Sequence, residues 1–204
     1  MTAPTSELSR LLTAIRACRH CIESPQGKPL PHEPRPVLRA STTARLAVCS
    51  QAPGTKVHET GTPFTDASGV RLRAWMGVSD AEFYDEARLA IVPMGFCFPG
   101  QDENGADLPP RCECAPLWRR DLFAALPQIE LVLAVGSYAQ RWHLGEAAGR
   151  TLQETMGQWR QHLARKRVFP LPHPSWRNNA WLKANAWFEK DLLPVLRREV
   201  RQLL

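Results

Sequence analysis

The sequence predicts a three-layer α/β/α sandwich around a central, mostly parallel four-stranded sheet. Four short apolar runs recur along the chain: RLAVCS (45–50), RLAIVPM (88–94), ELVLAVG (130–136) and VFPLP (168–172). Helical patterns separate them, and strands alternating with helices build parallel sheets. The first three runs are almost continuously apolar instead of alternating, as expected of strands covered on both faces. The 204 residues suit one domain spanning 1–204. No internal repeat, low-complexity tract or long linker divides it.

Residues 6–17 place Leu8, Leu11, Leu12 and Ile15 at helical spacing behind Ser6, a natural N-cap. The proline-rich stretch SPQGKPLPHEPRP (24–36) reads as an ordered extended loop. Further helical patterns lie at 69–77, 115–126, 137–145 and 152–166, and a last one at roughly 181–203. Pro194 is expected to kink or break that last helix, because it cannot donate a hydrogen bond and its ring crowds the preceding turn.

Charged residues make up 23% of the chain and hydrophobic residues 44%. No apolar run approaches the roughly 20 residues that span a bilayer. The N-terminal residues carry no basic segment followed by an apolar one, so the expected location is the cytoplasm. The net charge of +6 favours an anionic partner, nucleic acid first. Arg160, Arg165, Lys166 and Arg167 read as a solvated helix end, with a DNA track as the alternative. A monomer is expected.

In a parallel sheet, ligands gather at the carboxyl ends of the strands. The peptides there are SQAPGTKVHETGTPF (50–64), PMGFCFPG (93–100), GSYAQ (136–140) and HPSWRNN (173–179). Six cysteines accompany them. Cys18 and Cys21 form a CxxC pair able to place two thiolates on one metal. Cys97 with Cys114 or Cys112 would complete a set of four, suited to structural zinc or to an iron–sulfur cluster. Such a set would staple the N-terminal helix to the loop after the second strand. Cys49, inside its strand, reads as a small buried hydrophobe.

The ordered motifs resemble the uracil-DNA glycosylase superfamily, and most closely its iron–sulfur branch, often called family 4. They are Cys18–Cys21, SQAPG (50–54), GTPF (61–64), Cys97, Cys114 in CAPLW, VGSYAQ (135–140) and HPS (173–175). They cover nearly the whole chain in the family's order and approximate spacing. The resemblance implies a [4Fe–4S] cluster on Cys18, Cys21, Cys97 and Cys114, because the family's fourth cysteine opens a helix as Cys114 would. Zinc is the alternative metal. It further implies base excision from DNA through a flipped base, with His173 stabilising the leaving base and Gln51 beside the base and the attacking water. Ala52, Pro53 and Gly54 would form the first wall of the pocket and Phe64 its stacking platform.

N-glycosidic cleavage needs a held base, a donor for the charge developing on the base oxygen, and a water near C1′. A histidine can supply the donor. A glutamine amide orients water or a base edge but cannot act as a base. Ser175, Arg177 and Asn178 offer phosphate and base contacts, and Trp176 offers a wedge. His58 and Glu59 bring acid–base capacity to the loop after the first strand. The sequence departs from family 4 at Pro93, where the branch carries a base-reading asparagine, and at Cys97-Phe-Pro-Gly-Gln-Asp, where the branch has Cys-Arg-Pro-Pro-Gly-Asn. The expected activity is therefore a DNA glycosylase for uracil or another deaminated or damaged base. The alternatives are a non-catalytic DNA-binding or damage-sensing protein, or a hydrolase of a free nucleoside or nucleotide.

Overall fold

The computed structural model describes residues 6–204. In chain order the elements begin with α1 (Glu7–Arg16), α2 (His20–Glu23), β1 (Leu46–Cys49), α3 (Thr55–Thr60), α4 (Ala67–Met76) and α5 (Asp80–Phe83). They continue with β2 (Leu89–Ile91), α6 (Cys114–Ala124), β3 (Leu131–Val135), α7 (Ser137–Leu144), α8 (Leu152–Gly157) and α9 (Trp159–Lys166). The chain closes with β4 (Val168–Leu171), α10 (Asn179–Ala184), a π turn at Phe188–Leu192 and α11 (Leu193–Leu203). The four strands form one all-parallel sheet in the order β2-β1-β3-β4, with helices on both faces, as predicted.

The sheet has a bulky face and a lean one. Side chains alternate along each strand, so Leu46, Val48, Leu89, Ile91, Leu131 and Leu133 pack on one side with Trp75, Phe188 and Leu196 from α4, the π turn and α11. Ala47, Cys49, Ala90 and Ala134 face the other side, where Leu12, Ile15, Leu122 and Ala139 of α1, α6 and α7 cover them. Strand residues this small let the covering helices approach closely. The near-continuous apolar strand sequences therefore hide a large/small alternation. Pro170 is tolerated in β4 because, among the described residues, that strand pairs only with β3, leaving one edge without a ladder to supply. At the opposite edge, Arg39 exchanges both backbone bonds with Ile91, which covers β2.

Helix boundaries follow local chemistry. The Ser6 hydroxyl accepts the Ser9 amide at 3.2 Å and caps α1 as expected. The helix expected over 152–166 is interrupted at Gln158, which separates α8 from α9. The C-terminal helical region breaks at Asn185, earlier than Pro194. Pro194 sits in the first turn of α11, where a missing amide costs little.

Arg119 on α6 is 1% exposed. Its Nη1 donates to the carbonyls of Val92 (3.0 Å) and Pro93 (2.9 Å) at the end of β2. Its Nη2 reaches Cys49 Sγ at 3.2 Å and His143 Nε2 at 2.7 Å. A guanidinium only donates, so His143 Nε2 is the unprotonated ring nitrogen. Burial first, and the guanidinium second, push the His143 imidazole down to about 3. An unfolded histidine takes its proton near 6.5, so the contribution is intact above about 6.5 and is lost as pH falls toward about 3. His143→Gln, which retains an acceptor for Arg119 but does not titrate, should flatten the fall in melting temperature over that window. The difference from the unmodified chain should reach a few kcal/mol in order of magnitude at the acid end, measured by denaturant unfolding at stepped pH.

Candidate active site

Beyond β1 the ladder continues for two residues: the Ser50 and Gln51 carbonyls accept the amides of Met94 (2.8 Å) and Gly95 (3.0 Å). Pro53 and Gly54 then turn the chain into α3. These bonds fix Gln51 at the sheet's carboxyl end, where its Nε2 donates to the Leu108 carbonyl at 3.4 Å. A cleft of about 630 Å³ opens there, bordered by Gln51 on one side and by His173, Ser175, Trp176, Arg177 and Asn178 on the other. Ala52, Pro53 and Gly54 line both this cleft and a smaller inner pocket of about 90 Å³. Phe64 and Pro93 lie in the inner pocket, and His173 borders both spaces.

His173 follows β4 and is braced by its own loop. The Asn178 side-chain amide donates to its carbonyl at 2.7 Å, and Arg71 Nη1 donates to the Ser175 carbonyl at 3.3 Å. The Ser175 amide donates to His173 Nδ1 at 3.3 Å. Nδ1 is thus an acceptor, and in the neutral ring the proton belongs to Nε2. Burial lowers the His173 pKa and Arg177 adds to the lowering, while Asp66 and Asp107 oppose it. The net direction is down, toward a neutral imidazole with one N–H to donate.

Phe64 adopts a left-handed backbone (φ 58°), a conformation that costs a bulky residue roughly 1–3 kcal/mol. Its carbonyl is clamped by Arg73 Nη1 at 3.0 Å and the Tyr84 hydroxyl at 3.1 Å, and its ring meets Phe83 edge-on at 5.7 Å. A Cβ at Gly69, in the first turn of α4, would fall 1.8 Å from that same carbonyl oxygen. Only glycine permits this approach.

His58 and Glu59 are not brought into the cleft. Residues 55–60 form α3, where the sequence reading expected a loop. Val57 faces the cleft, while the His58 ring meets His32 at a 45° tilt, centroids 4.2 Å apart, and lies 5.8 Å from Phe98. Arg35 takes the His58 and Glu59 carbonyls at 2.6 and 2.7 Å, pinning the far side of that helix.

The structure does bring Cys18, Cys21, Cys97 and Cys114 around one small cavity, walled by Ile15 of α1 and Trp118 of α6. Cys112 lies outside it, exposed, with its thiol toward Gln26 and Glu113. Burial, then the Cys114 and Cys21 thiols, push Cys97 up to about 12. Burial does the same to Cys114, opposed by the Phe96 amide donating to its sulfur at 3.4 Å. Among the described residues no three His, Cys, Asp or Glu side chains already stand as a metal-holding group. The donor set itself, four thiols bordering one enclosed space with an amide aimed at one sulfur, fits a thiolate-ligated metal.

Two carboxylates in the site went unread in the sequence. Asp66 caps α4, its Oδ1 accepting the Gly69 amide at 3.0 Å, and it lines both spaces. Asp107, from the loop between β2 and α6, lines both as well. Asp66 was legible as an N-cap three residues before Gly69; Asp107 had no comparable signal.

The parallel sheet with a cleft at its carboxyl edge defines a three-layer α/β protein whose candidate site is built from strand tips. Compared with protein-family models, residues 39–197 match the uracil DNA glycosylase superfamily, and the chain belongs to that superfamily. The match takes in Cys97 and Cys114 and leaves Cys18 and Cys21 outside it. Gly69→Ala should force Phe64 out of its left-handed conformation. It should cost about 1–3 kcal/mol or more in stability, read as a lowered melting temperature.

Proposed function

We propose that this protein is a DNA N-glycosylase that removes uracil or another deaminated or damaged base by hydrolysis. The observation that carries the reading is the shared pocket: Phe64 and His173 line one inner space that opens to Gln51 and to the outer cleft. In this reading the base leaves the duplex stack, lies against Phe64, and receives a hydrogen bond from His173 Nε2–H at the oxygen where negative charge develops. A neutral donor suits this task, because it stabilises the leaving anion without first surrendering a proton. Gln51 orients the water or the base edge. Trp176, 74% exposed at the rim, and Arg177 beside it would meet the opened stack and a phosphate. The net charge of +6 favours the polyanion in general.

Pro93 in the inner pocket offers no side-chain polar group, so base reading falls to Ser50 and Asp66. That departure is the reason a non-catalytic damage sensor remains the second reading. Cys18, Cys21, Cys97 and Cys114 would hold a [4Fe–4S] cluster. When bound, the cluster would supply a cross-link between the segment after α1 and the start of α6.

A strand-cleavage assay after alkali, on single- and double-stranded oligonucleotides bearing uracil, hypoxanthine or xanthine, tests the activity. Product that falls by roughly 10²-fold or more in His173→Ala supports the proposal. DNA binding without product on any base would instead establish the sensor reading. The purified protein should be brown, with iron lost in Cys97→Ala; zinc without iron would overturn the cluster.

A further inference from the structure

We propose that Asp107 is the catalytic base that activates the attacking water, an assignment that rests on the glycosylase reading above. Hydrolysis requires a group to take a proton from water as the oxygen approaches C1′. Gln51 has no basicity to offer, and Ala52 has no functional group. Neither residue at the β1 tip can therefore serve as that base.

Asp107 is delivered there by a built turn. The Asp102 carboxylate accepts the Asn104 and Ala106 amides, each at 2.9 Å, and the Leu108 amide closes the turn on the Gly100 carbonyl at 2.9 Å. Gln101 and Asp107 pair as an antiparallel bridge, and Gln101 Nε2 donates to Asp107 Oδ1 at 3.2 Å. The other oxygen, Oδ2, lies over Gly54, 3.0 Å from where a Cβ would stand. The missing side chain at 54 is what lets this carboxylate sit against the β1 tip. Asp107 lines both the outer cleft and the inner pocket, and its charge is felt by His173. Asp66 is the competing carboxylate, and like Asp107 it is held through one oxygen, its Oδ1 capping α4. Asp107 differs in position: its other oxygen, which no donor engages among the described residues, lies against the β1 tip at Gly54, three residues from Gln51.

In the step, Asp107 Oδ2 takes a proton from water as the water oxygen bonds to C1′. The C1′–N bond breaks and its electron pair leaves with the base. His173 Nε2–H hydrogen-bonds the resulting anion, which takes up a proton from solvent on release, and Asp107 returns its proton to solvent.

The test is single-turnover cleavage of whichever base the unmodified protein removes, with DNA affinity by fluorescence anisotropy and melting temperature as controls. Asp107→Asn keeps an oxygen for Gln101 and should be slowed by roughly 10²-fold or more, with DNA affinity and melting unchanged. Asp107→Ala should be slowed as much and regain part of its rate in added formate, which replaces the carboxylate. Asp66→Asn, which retains a capping oxygen, should be slowed less than Asp107→Asn. Rates for Asp107→Asn within about threefold of the unmodified protein, or no formate rescue, would overturn the assignment while leaving the glycosylase reading standing. An unmodified protein that binds DNA and cleaves no base would overturn the glycosylase reading, and this assignment with it.

Discussion

A buried guanidinium holds the carboxyl edge of this sheet together. Arg119 has no carboxylate partner among the described residues, so its charge is offset by dipoles: two carbonyls at the end of β2, a thiol at the end of β1 and an imidazole on α7. The Phe123 ring adds a cation–π contact at 5.1 Å. Withdrawing a cation from water is expensive, and removing one of its few acceptors leaves the remainder uncompensated. Strand ends β1 and β2, helix α6 and helix α7 are therefore bound to one group. Pro93, in the inner pocket, and Cys114, five residues before Arg119 on the same helix, share that support. The pocket and the cysteine cavity are two sides of one structure.

The lean face of the sheet makes this possible. Alanine and cysteine at positions 47, 49, 90 and 134 let α1, α6 and α7 lie close, and all but α7 then reach toward the cysteine cavity. The bulky face is filled by leucine, isoleucine and aromatic residues against α4 and α11. The asymmetry places the cysteines on the tight side. It leaves the cleft to the loops at the strand tips, where backbone bonds from Met94 and Gly95 fix the β1 end.

The sheet was legible because each strand is an apolar run of usable length between turn residues, and parallel order follows from the intervening helices. Gln51, Phe64 and His173 were legible because they sit beside strand ends or in short motifs with fixed offsets. Other features depend on folding of the intervening loops. Residues 55–60 form a helix with one buried apolar residue, Val57, too weak a periodicity to announce itself, and that helix turns His58 toward His32 and away from the cleft. Asp107 reaches the site through a turn in which the Asp102 carboxylate accepts two backbone amides and the Gln101 amide donates to Asp107. Such an approach across three-dimensional space leaves no trace in local spacing.

The cleft's electrostatics run in opposite directions along the bond a glycosylase breaks. Cleavage develops positive charge on the sugar and negative charge on the base. In the proposed reaction Asp66 and Asp107 would favour the sugar half and penalise the base half, in a pocket where Pro93 offers no side-chain donor. In the proposed reaction His173 would have to offset the carboxylates at the base, which calls for a donor that is present at neutral pH and aimed by its surroundings. The Ser175 amide on Nδ1 directs the proton to Nε2, and burial keeps the ring neutral despite the two carboxylates nearby. A base whose own ring carries donors toward those carboxylates would also relieve the penalty. On the proposed glycosylase reading, the acceptor-rich pocket would select the base, while the orientation of His173 would govern whether it leaves.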